Sequence, residues 1–294
     1  MPIQYLKREN IFEFSGPCSL EKKLPAGVYK ICQNNMGELY LRAEDIQTEL
    51  LINLPDSPME TIMNKIDSFL TDKIRQAFHR YGMIYKRGIL LYGPPGTGKT
   101  SVVNQVIEVA TKKKDMVVLL CPYPAWVKQV VDNIREIEKC DRSVMVIWEE
   151  FEDVVNDDES TILSLLDGVS QVGNIIYLAT TNYIGDIPAR IISRPSRFAD
   201  VFEIGMPNDN VRKNFILSKL RKGDKVDIDL WVSQTVGLSN DHLKDLIINV
   251  FVLEIPFAEA VERTRKLGED HRERSDAVRR YNRYGYNTDE ESPD

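Results

Sequence analysis

Residues Gly93–Thr100 read GPPGTGKT, and this stretch decides the fold of the chain. Ahead of it lies a short apolar run, Gly88–Tyr92, whose length and composition predict a buried strand. Behind it, apolar residues recur at helical spacing from Ser101 to Lys112, which predicts a helix. A strand, a glycine-rich turn and a helix therefore follow one another directly.

The octapeptide fits the pattern G-x-x-x-x-G-K-[ST] of a loop that binds nucleotide phosphates. Glycines let backbone N–H groups turn inward and approach phosphate oxygens, because no Cβ stands in the way. The helix that begins near Lys99 directs the positive end of its dipole at the phosphates. We expect Lys99 to reach the β- and γ-phosphates and the Thr100 hydroxyl to ligate the metal. The sequence thus predicts ATP and Mg²⁺ as cofactors.

The composition indicates a globular chain without export or membrane signals. Of its 294 residues, 43% are hydrophobic, which suits a real core, and no apolar stretch approaches the length of a membrane span. The segment Met1–Asn10 lacks the apolar region of a signal peptide. The four cysteines are scattered and form no Cys-x-x-Cys pair, so we expect reduced thiols and a cytoplasmic location.

The formal net charge of −7 argues against broad, nonspecific binding to nucleic acid, which relies on Lys and Arg. A local basic surface stays open as an alternative, because several basic residues precede the phosphate loop: Lys73, Arg75, Arg80, Lys86 and Arg87. These side chains equally fit a solvated helix face followed by a turn. Nucleic acid is therefore a conceivable but not a favoured partner.

Breaks in the hydrophobic pattern divide the chain into four predicted parts. They are a small N-terminal module, an α/β part, a helical part and a charged, partly disordered tail, covering 1–53, 54–207, 208–265 and 266–294. Within the first part, Val28–Cys32 and Glu38–Arg42 alternate around a turn and predict a β-hairpin. In the second part, apolar strands alternate with helices, which predicts a parallel sheet covered on both faces.

Polar residues follow two of the predicted strands. The apolar run Val144–Trp148 leads directly into Glu149 and Glu150, and a strand that ends in acids fits a Walker B element. We expect Glu149 to hold Mg²⁺ through its waters and Glu150 to polarise the attacking water. Asn182 ends the next strand, at the sheet edge where ligands bind, and is predicted to orient that water. A strand-terminating turn is its alternative role.

Two arginines, Arg194 and Arg197, are three positions apart after the predicted sheet. An arginine donated to the γ-phosphate of a neighbouring copy would explain them. Surface charges or salt-bridge partners explain them equally well, and the sequence alone leaves both interpretations open.

Taken together, these segments resemble the AAA subfamily of the AAA+ ATPases. Arg87–Thr100 is similar to the Walker A segment of that family nearly letter for letter, and Ile187–Phe198 with Glu203–Pro207 is similar to its second region of homology. Thr235–Leu243 resembles the start of the family's helical lid, where the Gly237 region approaches the adenine. Within the family, the chain resembles short phage or bacterial AAA proteins and the mitochondrial Rieske-assembly translocase.

The resemblance implies an α/β fold, with a parallel-sheet P-loop AAA+ core, a helical lid subdomain and a small N-terminal β-containing module. It also implies a homo-oligomer, a hexameric ring with ATP bound between protomers. Asn182 would then be sensor 1, and Arg194 and Arg197 would be arginine fingers that act on the neighbouring site. The residues expected to bind the nucleotide are Gly93, Pro94, Pro95, Gly96, Thr97, Gly98, Lys99, Thr100, Ser101 and Gly237.

The chain departs from the family pattern at two places. Glu149 stands where the family usually has Asp, and the extra methylene puts the turnover rate in doubt more than nucleotide binding. The region of the family's pore loop contains Tyr123 and Trp126 but no glycine. Both rings would grip a threaded polypeptide, or Trp126 is only a core residue at the start of a helix.

Three functions are compatible with these residues. The preferred one is an ATP-driven ring that remodels or translocates a protein partner. An alternative is a DNA-associated ATPase, such as a loader, a packaging accessory or a recombination factor. It needs basic residues at the pore, for which Lys128 and the segment Arg80–Arg87 are the candidates. A third is a slowly hydrolysing, nucleotide-gated scaffold, which Glu149 makes conceivable.

Overall fold

The computed structural model describes residues 4–8, 11–15, 22–45, 58–221 and 223–268. The described part of the chain divides into two compact units, with a boundary between Gly205 and Met206. The strands are β1 (Gln4–Arg8), β2 (Ile11–Ser15), β3 (Gly27–Gln33), β4 (Leu39–Ala43), β5 (Lys86–Tyr92), β6 (Val117–Leu120), β7 (Val144–Trp148), β8 (Ile175–Thr181) and β9 (Asp200–Glu203).

Helices alternate with these strands through the first unit and make up the second. They are α1 (Met59–Phe69), α2 (Asp72–Arg80), α3 (Lys99–Lys114), α4 (Ala125–Glu138), α5 (Phe151–Asp167), α6 (Ala189–Ile192), α7 (Asp209–Lys219), α8 (Ile228–Gln234), α9 (Asn240–Phe251) and α10 (257–268). Within the described ranges, every helix is too short or too polar to span a bilayer.

The strands form one mixed sheet in the order β1-β2-β4-β3-β6-β7-β8-β5-β9. The run from β3 through β6, β7, β8 and β5 to β9 is parallel, whereas β1, β2 and β4 pair antiparallel. Every residue of β7 and β8 is buried, as expected for strands with helices on both faces. The predicted parallel α/β core is therefore confirmed.

Two apolar layers cover the two faces of the sheet. Successive side chains of β7 point to opposite faces of the sheet. Val144, Val146 and Trp148 pack in one layer, and Met145 and Ile147 pack in the other. The first layer contains apolar residues of α4 and α5, and the second contains those of α1 and α3. The sheet is thus rigidly held, which fixes the loops at its two edges.

The predicted hairpin between Val28 and Arg42 is confirmed, with Gln33 opposite Leu39 and Tyr29 opposite Ala43. Its turn is closed by Asn34, whose side-chain oxygen accepts the N–H groups of Met36 and Glu38 at 2.9 Å each. The hairpin is joined to the core, however, because β3 pairs in parallel with β6. This pairing satisfies backbone groups that would otherwise form an open edge on β6. The expected boundary at residue 53 lies outside the described residues.

A buried arginine fastens the hairpin to the core. The Arg142 side chain is only 6% exposed and forms ion pairs with Glu138 at 3.0 Å and Asp115 at 3.1 Å. It also donates hydrogen bonds to the backbone carbonyls of Asp115 and Leu24, while Glu138 accepts the Leu24 N–H at 2.9 Å. The charge is thus fully partnered, which a buried guanidinium requires.

Every helix or strand in the described residues of the second unit is a helix, as the lack of strand alternation in its sequence predicts. Its core is built on Trp231, whose ring stacks on Phe257 with centroids 4.5 Å apart. Ile216 and Leu246 complete this core from α7 and α9. The predicted charged tail lies outside the described residues beyond 268.

Candidate nucleotide site

The phosphate loop connects β5 to α3 and requires glycine at three positions. Gly93, Gly96 and Gly98 have φ values of +151°, +76° and +104°, which residues with a Cβ rarely adopt. A Cβ on Gly93 would also lie 2.1 Å from the carbonyl oxygen of Ile204. No side chain caps the start of α3 at Gly98, so the first-turn N–H groups of this helix suit an anion.

Lys99 lies inside the curve of this loop. The residue is buried, and its Nζ donates hydrogen bonds to the carbonyls of Gly93 at 2.7 Å and Pro94 at 2.9 Å. The Thr97 hydroxyl donates to the same Pro94 oxygen at 2.9 Å, and Thr100 is exposed in the first turn of α3. A loop that already surrounds an ammonium group, beside uncapped helix N–H groups, fits a triphosphate with Mg²⁺.

The predicted acidic residues and Asn182 lie at the same edge of the sheet as this loop. In the parallel register, Tyr92 of β5 is level with Thr181 of β8, and Trp148 of β7 is level with Ala179. The residues that follow these three strands therefore emerge side by side. The backbone N–H of Gly93 donates to the Thr181 carbonyl at 3.3 Å, which ties the loop to the strand that ends at Asn182.

Glu150 occupies a strained backbone position. Its φ of +49° and ψ of +53° place a residue with a Cβ in the left-handed region, which costs about 1–2 kcal/mol. The residue turns the chain between β7 and α5, and both Glu149 and Glu150 are exposed there. Four other described non-glycine residues, Asp115, Lys139, Asn174 and Glu254, adopt the same region, and at Glu150 it fixes the turn that leads into α5.

Glu152 is a site residue that the sequence analysis did not single out. One of its carboxylate oxygens accepts the backbone N–H of Asn182 at 3.3 Å, and the other is buried and accepts no hydrogen bond from the described residues. It therefore links the first turn of α5 to the end of β8. The sequence signal that could have found Glu152 is its place in the acidic run that begins at Glu149.

A column of aromatic rings lies under the acidic residues. Trp148 stacks on Tyr177 with ring centroids 5.0 Å apart and on Phe151 at 5.5 Å, and Phe151 meets the Phe198 ring edge-on at 5.3 Å. In sequence, Glu149 and Glu150 lie between Trp148 and Phe151, two buried rings of this column. Phe198 directly follows Arg197, so the same column also supports the arginine loop.

The loop with the two arginines, Arg194–Ala199, lies at the opposite edge of the sheet. A Cβ on Gly88 would be 2.0 Å from the Arg197 carbonyl oxygen, and the Lys86 Nζ donates to the Ser196 carbonyl at 3.1 Å. Both contacts are made at the start of β5, whereas the phosphate loop follows its end. At ~3.3 Å per residue, positions 88 and 93 are separated by about 16 Å.

The two predicted arginine fingers have different environments. The Arg194 side chain is 63% exposed, with a long ion pair of 3.5 Å to Asp167. The Arg197 side chain is only 8% exposed, lies 3.6 Å from Asp167, and donates a hydrogen bond to the Arg190 carbonyl. Arg194 is therefore presented to solvent, while Arg197 anchors its own loop.

The aromatic pair of the predicted pore loop lies between β6 and α4. Tyr123 is 53% exposed, and its ring centroid is 4.5 Å from that of Trp126. Trp126 is half-buried and packs against the apolar layer that contains α4. Gly237, the residue expected near the adenine, lies in the second unit, in the turn before α9, with a φ of +80°.

Residues 89–206, which contain this site, match the model of the ATPase family associated with various cellular activities (AAA). The chain is 27% identical to the cell division cycle protein 48 homolog of Archaeoglobus fulgidus over 295 residues, covering 85% of this chain and 39% of the relative. It is 26% identical to the proteasome-activating nucleotidase of Saccharolobus solfataricus over 203 residues, covering 61% and 51%. The vesicular-fusion protein SEC18 of Candida albicans is 26% identical over 205 residues, covering 57% and 26%.

Over residues 89–206 the chain is therefore similar to a family of ATPases. The chain spans between 26% and 51% of the length of these three relatives.

Proposed function

We propose that this protein hydrolyses ATP with Mg²⁺ as a homo-oligomeric ring of six copies and uses the hydrolysis to remodel or translocate a protein partner. The observation that carries the proposal is the separation of two groups on one sheet. The phosphate loop and the acidic residues lie at the carboxyl edge, whereas the exposed Arg194 lies at the amino edge. An arginine so placed can complete only the site of another copy.

Each site residue then has a distinct task. Lys99 and the N–H groups at the start of α3 bind the phosphates, and Thr100 with Glu149 would hold Mg²⁺. The metal, when bound, neutralises negative charge on the phosphate oxygens. Glu150 polarises the attacking water, Asn182 orients it, and Arg194 of the neighbouring copy stabilises charge in the transition state. Glu149 is exposed, so its extra methylene has room to adjust.

A protein partner is supported by three observations. Tyr123 presents an exposed aromatic ring beside Trp126, as gripping a polypeptide would require. The net charge of −7 disfavours nucleic acid. The names of two relatives refer to proteasome activation and to vesicular fusion.

The DNA-associated alternative loses support because three of its candidate basic residues are paired with acids. Arg75 forms an ion pair with Asp141, Arg87 with Asp200, and Lys128 with Asp132, each at 2.5–2.6 Å. A DNA backbone would have to displace these carboxylates. ATPase activity that DNA stimulates in a salt-dependent manner would nevertheless revive this alternative.

Several finer assignments belong to the same proposal. They are a cytoplasmic location, the subdomain limits 54–207 and 208–265, and the contact of Gly237 with adenine. The nearer resemblance to short phage or bacterial AAA proteins and to the Rieske-assembly translocase also belongs here, since the relatives named above are archaeal and yeast proteins.

The test compares the purified wild type with Lys99→Ala and Glu150→Gln. Binding of a fluorescent ATP analogue and release of phosphate are measured with Mg²⁺ present. We expect the wild type to hydrolyse ATP, Lys99→Ala to lose binding, and Glu150→Gln to bind ATP without hydrolysing it. Wild-type protein that binds ATP but does not turn it over would favour the scaffold function and contradict the proposal.

A further inference from the structure

The hairpin of β3 and β4 extends past the carboxyl edge of the sheet, beside the loop that carries Tyr123. β3 runs parallel to β6, and its Lys30 is level with Leu120, the last residue of β6. β3 continues from there to Gln33, which at ~3.3 Å per residue is about 10 Å beyond the end of β6. The turn of the hairpin and the loop after β6 are therefore neighbours at one edge of the sheet.

The turn of this hairpin presents one large apolar side chain to solvent, that of Met36, which is 87% exposed. The backbone N–H of Asn34 donates to the Glu38 carbonyl at 2.9 Å, and the Asn34 side chain accepts the N–H of Met36. The Gln33 side chain donates to the Gly37 carbonyl at 2.9 Å. These bonds order the turn, whereas Met36 itself buries too little apolar surface to stabilise the fold.

The hairpin is fixed relative to the Tyr123 loop. Leu39 at the start of β4 belongs to the same apolar layer that Trp126 packs against. Arg142, which joins the backbone ahead of β3 to the core, holds the other end of the hairpin. The fold therefore sets the separation between Met36 and Tyr123, as a site that contacts one ligand with both side chains requires.

We infer that the hairpin turn (Asn34–Glu38) is a second contact site for the protein partner, and that one extended polypeptide segment binds Met36 and Tyr123 together. The inference rests on the proposed function, since it adds Met36 to the aromatic contact proposed there. At ~3.3 Å per residue, four or five extended residues span the offset between the turn and the end of β6. The unbranched, polarisable side chain of a methionine adapts to partner side chains of varied shape.

The charges of the turn favour a polypeptide over a nucleic acid. Residues 33–38 read QNNMGE and include no lysine or arginine, the cations on which binding of a phosphate backbone depends. Glu38 is exposed at the turn and would repel phosphates. An apolar stretch of an unfolded polypeptide, by contrast, removes its side chains from water when it packs against Met36 and Tyr123.

The first experiment uses fluorescein-labelled casein, an unfolded polypeptide, and measures its binding to the Glu150→Gln protein with ATP and Mg²⁺ by fluorescence anisotropy. We expect Met36→Ser to weaken this binding about tenfold, the scale of one apolar side chain removed from a contact. Met36→Leu keeps an apolar side chain and should retain most of the affinity. Met83→Ser is the control, because Met83 is also exposed, at 61%, in the segment that leads into β5 at the opposite edge.

Equal affinity of Met36→Ser and its parent would overturn the inference, and so would an equal loss in Met36→Ser and Met83→Ser. Thermal unfolding and light scattering accompany the binding measurement. Because Met36 buries little surface, Met36→Ser should keep the melting temperature and the assembled mass of its parent.

A second experiment detects the contact without changing Met36. Dilute hydrogen peroxide oxidises exposed methionines to the sulfoxide, and mass spectrometry follows the rate at each position. We expect bound casein to slow oxidation several-fold at Met36 but not at Met83, and Tyr123→Ser to abolish this protection. Equal rates at Met36 with and without bound casein would overturn the inference.

The outcomes separate the inference from the proposed function. Casein binding that depends on Tyr123 but not on Met36 refutes only the second contact site. A protein that hydrolyses ATP but binds no casein refutes the inference together with the protein partner, and the proposed ATP hydrolysis stands.

Discussion

Arg194 and Arg197 are three residues apart, yet the fold gives them separate tasks. Arg194 is 63% exposed, whereas Arg197 is 8% exposed and donates a hydrogen bond to a backbone carbonyl of α6. The sequence treats them as equivalent fingers, since spacing carries no information on burial. We therefore propose Arg194, and not Arg197, as the residue that reaches another copy, because Arg197 is a buried part of its own loop.

Substitution of the two arginines is expected to separate these tasks. Arg194→Ala should lower kcat by about 10³-fold or more, the scale of a lost arginine finger, with an unchanged melting temperature. Arg197→Ala should lower both kcat and the melting temperature, because it removes a buried anchor of the loop. Phosphate release and thermal unfolding measure both effects. A fully active Arg194→Ala ring would rule out the assignment.

Glu152 is expected to act through its hydrogen bond to the backbone of Asn182. Glu152→Ala removes the acceptor, and a loss of about 1.4 kcal/mol in the transition state lowers kcat about tenfold. Glu152→Gln keeps an acceptor oxygen and should recover most of the rate, with nucleotide affinity unchanged in both variants. Equal activity of Glu152→Ala and the wild type would show that this contact is dispensable.

At the scale of elements, the contact between β5 and the arginine loop leaves no room for a Cβ. Gly88→Ala places a methyl group 2.0 Å from the Arg197 carbonyl and 3.1 Å from the Phe198 Cα. The loop must shift, so we expect ATP hydrolysis to fall while ATP binding at the other end of β5 is retained. Gly185→Ala is the control, because a Cβ there meets no atom within 4 Å. Equal turnover by the two variants would contradict the prediction.

We expect the ion pairs of Arg142, which join the hairpin to the core, to contribute measurably to the free energy of unfolding. Arg142→Met leaves Glu138 buried without its cation, and breaking a buried pair costs about 3–5 kcal/mol. Urea unfolding should show this loss, and the double variant with Glu138→Gln should recover part of it. A loss below about 1 kcal/mol, the scale of a surface ion pair, would mean that the pair is effectively solvated.

The sequence predicts those elements whose cause is local. The strand β5, the glycine loop and α3 follow from apolar periodicity and from a motif that the chemistry of phosphate binding restricts. The strand before Glu149 is predicted at its observed bounds, Val144–Trp148, because apolar residues fill it and acids end it. The hairpin is likewise predicted from alternation around a turn.

Other features depend on contacts between distant residues and leave little trace in the sequence. β3 pairs with β6 because β6 would otherwise present an open edge. An open edge leaves no periodic pattern in the sequence. The burial of Arg197, the bond from Asn182 to Glu152 and the aromatic column from Tyr177 to Phe198 are set by packing. The sequence thus predicts most residues of the candidate site, but neither Glu152 nor which arginine is exposed.

At the scale of the whole molecule, one sheet separates the residues proposed to bind and hydrolyse ATP from the exposed arginine proposed to complete the site of another copy. The phosphate loop, Glu149, Glu150 and Asn182 lie at its carboxyl edge, and Arg194 lies at its amino edge. Because the sheet is packed on both faces, a protomer cannot fold its own arginine around to its own site without unfolding. The central claim is therefore that hydrolysis requires a second copy.

The most direct test of this claim is the specific ATPase activity of the wild-type protein as a function of its concentration, with Mg²⁺ and saturating ATP. We expect activity per molecule to rise with concentration and to reach a plateau as the oligomer forms, and Arg194→Ala to stay low at every concentration. A specific activity that is high and constant down to concentrations where the protein is monomeric would contradict the claim.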